Sequence, residues 1–255
     1  MGQIKFETLL IGFAAVQLWG LAPVAGAEPY LIKASDLPPY TKLGEDMRVE
    51  GFVIEVIKDS LKAKDLEFAL PANLSWKRAQ VEAIATPMSL IGPLARTSQR
   101  EEQYRWLAVI LEEKLVIYRP KGAAGPVNAA DLAKLRHIGV NLGSAAENTL
   151  EALGLRPVIE TAPNALVNAT KLASGHLDAW CAQWLESLGP AGTAAIAGRI
   201  EFAFDLVDQP LWLATSRATP PKEADAAMTA LLSYRDTKSY EERLKQLKRE
   251  AQHVP

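Results

Sequence analysis

Two guanidiniums stand four residues apart at Arg96 and Arg100, just after an apolar stretch interrupted by Gly92-Pro93. Arginine offers a planar, two-pronged donor that keeps its charge near neutral pH, so this pattern suits capture of a small carboxylate. The same run, with Glu101 and Glu102 beside it, also suits the charged first turn of a solvated helix. A second anion-binding element lies at Gly143-Ser144-Ala145-Ala146-Glu147. There Ser144 can cap the free N–H groups of a helix while Glu147 reaches back, and such a start also presents donors and a partial positive charge to an anion. Capping alone would explain these residues as well.

Two aromatics stand where a turn meets a helix. Tyr40 follows Pro38-Pro39 in a rigid loop at a strand end, the place where open α/β sheets bind ligands, and Trp76 opens a helix. Core packing is the expectation for Trp106, Trp180, Trp184 and Trp212. Three scattered histidines and the single Cys181 give neither the ligand spacing of a zinc site nor a Cys-His nucleophile pair, so no metal, cofactor or catalytic residue is assigned. His137 and His176 are read as partly exposed polar residues. A net charge of −2 without a basic stripe gives no electrostatic case for nucleic acid.

The elements that must position these groups follow from periodicity. A short strand over residues 30–34 is closed by Asp36, Pro38 and Pro39, and apolar residues at helical spacing run from Phe52 to Leu61. Residues 66–70 alternate as a strand, Ser75 is a candidate cap for a second helix, and residues 87–94 lead into the arginine stretch. This alternation of strand and helix predicts a mostly parallel sheet with crossover helices. Strands at 106–110 and 114–118 follow, then a Gly- and Pro-rich break at 119–126, after which the theme restarts. In the second half, 131–135 and 165–172 are predicted helical, and 137–140, 157–160 and 177–181 strand-like. A return strand at 212–215 precedes a C-terminal helix from about Lys222 to Leu247, broken near Thr237.

The N-terminus reads as an export signal. Lys5, an apolar run from Leu9 to Leu21 and the small-residue sequence Ala25-Gly26-Ala27 predict cleavage after Ala27 and a periplasmic mature protein. A membrane anchor would need roughly 20 uninterrupted apolar residues, whereas Gln17, Gly20 and Pro23 break this run. One cysteine excludes an internal disulfide, so a chain of 255 residues, 49% of them apolar, must rely on its core.

Residues 34–40, Gly51-Phe52, residues 76–79, residues 96–101, Trp106, residues 138–140 and Gly143-Ser144 occur here in the order in which similar motifs occur in the family 3 periplasmic solute-binding proteins. These are receptors of ABC importers for polar amino acids and related solutes, and the resemblance covers nearly all of the mature chain. It implies an α/β fold of two lobes, each a mostly parallel sheet flanked by helices, joined by two hinge strands. Residues 28–118 and 211–255 would form lobe 1 and residues 119–210 lobe 2. By the same resemblance Arg100, following Thr97, corresponds to the arginine that binds a ligand carboxylate. Tyr40 would be the aromatic lining the first lobe, and Ser144 with the N–H of Ala145 would supply the second lobe's contact; Trp76, from its place at a turn–helix boundary, and Gln183 are further candidate contacts.

The chain departs from the family pattern where an acidic residue is expected after Asp178 to pair with a ligand ammonium: Gln183 occupies that position. Either Glu186 or another acid substitutes, or the ligand is not an α-amino acid. Asp178 itself is read as supporting the strand turn. Pro93 and Ala95 replace small hydroxyl residues before the arginine loop. The expected function is a monomeric, non-enzymatic receptor for a small carboxylate-bearing solute, docking on importer membrane subunits. The alternatives are a dehydratase-like enzyme and a sensory or partner-binding module. For the enzyme, no His or Glu near the candidate cleft stands out as a general acid.

Overall fold

The computed structural model describes residues 28–70 and 74–252, so the expected signal segment lies outside the described residues. The first half runs β1 (Tyr30–Lys33), β2 (Lys42–Leu43), β3 (Val49–Glu50), α1 (Phe52–Lys62), β4 (Phe68–Ala69), α2 (Trp76–Ala85), β5 (Ser89–Ala95) and β6 (Tyr104–Leu111). Next come β7 (Lys114–Pro120), β8 (Ile138–Asn141), α3 (Ala145–Ala152), β9 (Ile159–Ala162), α4 (Ala165–Ala173), β10 (Ala179–Gln183), α5 (Trp184–Gly192) and β11 (Ile200–Asp208). The chain returns through β12 (Leu211–Ser216) and ends in α6 (Pro221–Arg235) and α7 (Lys238–Glu250).

Two five-stranded sheets result, ordered β4-β1-β5-β12-β6 and β11-β7-β10-β8-β9. Each has the same plan. In the first, β12 is antiparallel to its neighbours β5 and β6, while β1 pairs in parallel with β4 and β5. In the second, β7 is the antiparallel member, between β10 and β11, and β8 pairs in parallel with β9 and β10. Each sheet therefore receives one strand of reversed direction from the chain as it crosses between lobes. The expected lobe boundary after residue 118 falls inside β7. The apolar run Leu115-Val116-Ile117-Tyr118 pairs with β10 and β11 from its first residue, so the second sheet begins at Lys114.

Between the sheets the chain crosses twice, at Glu112-Glu113 and at Gln209-Pro210. The crossings run side by side: Leu111 is paired with Leu211, Lys114 with Asp208, and the Gln209 N–H donates to the Glu113 carbonyl at 2.8 Å.

Helices cover the sheets by burying one face each. On α1, Phe52, Val53, Ile54, Val56, Ile57 and Leu61 recur at three- and four-residue intervals and are buried. The helix starts at Gly51 with φ +107°, where a Cβ would meet Thr41 Cα at 3.1 Å. In the second lobe, Ser144 caps α3 and Asn164 caps α4 by accepting from Val167 N at 3.0 Å. The break expected near Thr237 is a true helix boundary, since Thr237 caps α7 through Tyr240 N. Residues 131–135 lie in or beside a 3-10 turn over Ala129–Lys134 rather than an α-helix. Three tryptophans expected in the core are only half-buried; Trp180 alone is fully buried, stacked on Tyr118.

Candidate functional site between the lobes

A cavity of about 120 Å³ opens between the two lobes. From the first lobe come Leu37, Tyr40, Trp76, Pro93, Ala95 and Arg100; from the second come Asn141, Ser144, Ala145, Gln183 and Glu186 among others. Six of the seven residues singled out from sequence thus share one cavity wall. Thr97 does not line it. Its hydroxyl is buried without a hydrogen-bond partner among the described residues, and its carbonyl accepts from the Arg100 N–H at 3.0 Å, so it shapes the turn that carries Arg100.

Arg100 is only 5% exposed. Its Nη1 donates to the Ala95 carbonyl at 3.0 Å and its Nη2 to the Gly143 carbonyl at 2.8 Å, which lies in the other lobe. Burial pulls its pKa below the ordinary guanidinium value, with the Tyr104 phenol opposing. Neither of its partners is a carboxylate, and two carbonyls leave three of the five guanidinium N–H donors unused. Arg96 is different. It forms a two-pronged ion pair with Glu101 and lies over the rings of Trp106 and Trp212 at 5.5 and 5.1 Å, outside the cavity wall.

Facing Arg100 is the start of α3. Ser144 Oγ accepts from Glu147 N at 3.2 Å, and the Glu147 carboxylate accepts from Gly143 N at 2.6 Å. Gly143 is thus gripped at its N–H by Glu147 and at its carbonyl by Arg100. The first amides of α3, those of Ala145 and Ala146, have no acceptor within the helix, and both residues line the cavity. A guanidinium from one lobe and a helix N-terminus from the other therefore converge on the same space.

Behind the cavity wall, Tyr40 is held by a residue that sequence reasoning missed. Glu113, in the first crossing, is buried, and its carboxylate accepts from Lys114 N, Trp184 N and Leu185 N at 2.9, 3.1 and 2.9 Å and from the Tyr40 hydroxyl at 3.2 Å. Burial raises its pKa; the three amides and the Tyr40 hydroxyl oppose this. Glu113 is the cap of α5, supplied from the hinge. Gln183, which precedes the helix, makes no capping bond, so its side chain is left to line the cavity.

In the first turn of α5, Glu186 also reaches the wall. It accepts from Asn141 Nδ2 at 2.6 Å, and Asn141 Oδ1 in turn accepts from Asn168 Nδ2 at 2.9 Å. Burial, then the charge of Glu113, raise its carboxyl to about 7, against the opposing Gln183 N–H and Asn141 amide. The sequence shows no acid suited to proton transfer near the cleft, but the fold places this one there. Asp178 accepts from Arg136 N and His137 N at 2.8 and 3.0 Å and secures the strand turn. Asn141 carried no sequence signal beyond its place at the end of a predicted strand. Among the described residues no group of His, Cys, Asp and Glu is arranged to hold a metal ion, and no helix is long and apolar enough to cross a membrane.

No family model and no curated protein matches the chain by sequence. Solved structures do match. A histidine kinase sensor domain with similarity to periplasmic binding proteins aligns with a TM-score of 0.76 at 12% identity, covering 86% of this chain and 95% of that one. The arginine-, lysine-, histidine-binding protein ArtJ from Geobacillus stearothermophilus aligns at 0.69 and 18% identity, covering 86% and 95%. An ancestral amino acid-binding protein, a precursor of cyclohexadienyl dehydratase, aligns at 0.68 and 15%, covering 86% and 94%. With its two like sheets, paired crossings and interlobe cavity, the chain has the two-lobed α/β fold of the family 3 solute-binding proteins.

Proposed function

We propose that this protein is an exported receptor that captures a small carboxylate-bearing solute between its lobes and presents it to the membrane subunits of an ABC importer. The observation that carries the reading is the buried Arg100 guanidinium, which has no ion-pair partner among the described residues and faces the first amides of α3 across the cavity. A carboxylate placed there would meet charged donors from one lobe and helix-terminal donors from the other, so that binding favours the closed arrangement. The binding of arginine, lysine and histidine by ArtJ supports the choice of an amino acid or related organic acid. Export is proposed from the signal-like residues 1–27 and from the fold. The receptor is proposed to act as a monomer, Arg100, Tyr40, Trp76, Ser144, Ala145 and Gln183 being the contacts and Thr97 the support of Arg100.

Mass spectrometry of whatever co-purifies with the mature protein, followed by melting shifts across amino acids, dicarboxylates and aromatic acids, tests this. A tight solute raises the midpoint by mass action. If no carboxylated solute shifts it, the reading fails.

Two observations each favour a second reading. Glu186, with its carboxyl at about 7 in the cavity wall, has a value suited to a general acid, as a dehydratase-like enzyme would need. Consumption of the bound solute over time would decide for it. The likeness to a kinase sensor domain supports a sensory module, which solute-dependent capture of a signalling partner, without loss of uptake on deletion, would identify.

A further inference from the structure

β5 and β6 both pair antiparallel with β12, which lies between them, so Ala95 ends level with Leu211 while Tyr104 begins level with Ser216. Residues 96–103 must therefore run back across β12 from one end of it to the other, with no strand of their own to pair with. Arg100 stands on that return. Little apolar packing fastens it: Ser98, Gln99, Glu102 and Gln103 are exposed, and the Thr97 hydroxyl has no hydrogen-bond partner among the described residues.

Polar and aromatic contacts centred on Arg96 fasten it instead. The Arg96 guanidinium grips both oxygens of the Glu101 carboxylate, with Nε at 2.8 Å from one of them, so residues 96 and 101 are closed on each other. The same guanidinium lies over the rings of Trp212 on β12 and Trp106 on β6, which meet edge to face at 6.3 Å. Trp106 Nε1 donates to the Glu101 carbonyl at 3.3 Å, and Gln209 Nε2, from the second crossing, donates to the Arg96 carbonyl at 3.0 Å. The clasp is thereby tied to two strands and to the hinge. From inside it Arg100 reaches back to the Ala95 carbonyl, next to Arg96, and across to Gly143 in the second lobe. Gln99, its neighbour, donates to the Glu151 carboxylate of the second lobe at 3.1 Å.

Resting on the solute-binding reading, we propose that Arg96 is a positioning residue for the cavity: clasped to Glu101 and seated on Trp106 and Trp212, it fixes the turn that aims Arg100 at the solute. An exposed ion pair adds little to stability by itself, and both partners here are 40% exposed. What the pair does is set direction. A two-pronged grip and an aromatic seat together hold the guanidinium in one plane, and the return with it. Arg100 needs that precision, because a shift of about 1 Å takes its unused N–H groups out of hydrogen-bond range of a carboxylate.

Isothermal calorimetry on the full mature protein tests the assignment, with the probe that the wild type binds most tightly among the L-amino acids, succinate, glutarate, benzoate and phenylacetate. Arg96→Ala should weaken the probe roughly tenfold, the scale on which the supports of a binding group act. Arg96→Lys should recover little, since an ammonium keeps the charge but neither the two-pronged grip nor the flat face. In the Arg100→Ala background Arg96→Ala should change affinity by less than about twofold, because a residue that acts through Arg100 then has nothing to position. Lys134→Ala, which breaks an exposed pair with Asp131 in the second lobe, should leave affinity unchanged. Unchanged affinity in Arg96→Ala, full recovery in Arg96→Lys, an undiminished loss in the Arg100→Ala background, or an equal loss in Lys134→Ala would each overturn the assignment. In all four cases binding by the wild type leaves the receptor reading standing. If no probe binds the wild type, the receptor reading falls and this inference with it. Should Arg96→Ala not fold, Glu101→Gln, which cuts the clasp and keeps Arg96 on the two rings, decides by the same comparisons.

Discussion

Arg100 in the first lobe donates from Nη2 to the carbonyl of Gly143 in the second, 2.8 Å away. One side chain thereby holds the lobes together and leaves donors for a solute. Arg100→Ala should weaken solute binding by at least about 2 kcal/mol, roughly thirtyfold in Kd. Arg100→Lys should recover little, because a point ammonium cannot serve the carbonyls and a carboxylate in one plane. Calorimetry measures the affinity, and small-angle scattering of the unliganded variant should show a larger radius of gyration.

Ser144 accepts the amide of Glu147 at the start of α3. Ser144→Ala should cost about 1 kcal/mol of stability, whereas Ser144→Gly should cost only a few tenths. Urea unfolding with an unchanged m-value would show that the cap, and not the compactness of the unfolded chain, is responsible.

Glu113 presents only acceptors to three amides and a phenol. Glu113→Gln turns one acceptor into an amino group facing donors, which should destabilise by about 1–3 kcal/mol. A double-mutant cycle with Tyr40→Phe should show coupling, since the second substitution removes a donor that the first has already disturbed. Absence of coupling would mean that Tyr40 and Glu113 act independently.

Stability should also report Glu186. Its folded value of about 7 lies above the ordinary glutamate value near 4.3, so between these pH values the native state holds a proton that the unfolded chain has lost. The stability of the wild type relative to Glu186→Gln should therefore fall as pH rises from about 4.3 to 7, and level off above. Calorimetric melting at pH 4 to 8 gives the difference curve; a flat one would show that Glu186 titrates normally.

Gly139 has no room for a side chain. A Cβ there would lie 2.4 Å from Leu177 Cδ1 and 2.7 Å from Asn168 Oδ1. Gly139→Ala should destabilise by about 1–3 kcal/mol. By displacing Asn168 it should also weaken solute binding through Asn141 and Glu186, although position 139 lines no part of the cavity. Unchanged affinity in a destabilised variant would uncouple the Asn168 network from the site.

The strands that periodicity could reveal are those that bury both faces or alternate cleanly: residues 106–110, 114–118 and 212–215 all lie within β6, β7 and β12. β11 and α5 were not legible. β11 covers only the outer edge of its sheet, so most of its residues are part-exposed and mask the pattern. α5 begins directly after β10, with no Ser, Thr, Asp or Asn at its start, because its cap comes from Glu113 some 71 residues away in sequence. The same reason hid Glu113 itself: an acid between two apolar strands reads as surface until the fold brings a helix start and Tyr40 onto it. Arg100, Tyr40 and Ser144 could be singled out because their local context already says what they offer, and Glu186 only as one substitute acid among others, whereas the role of Asn141 exists only between elements.

The two crossings are neighbours in space, with Leu111 opposite Leu211 and Lys114 opposite Asp208. The whole second lobe is thus an insertion that leaves and re-enters the first at a single paired position. A short turn joining residue 111 to residue 211 would close the first sheet without rethreading it, so the gripping half that carries Arg100 can be separated as one unit from the half that carries Glu186.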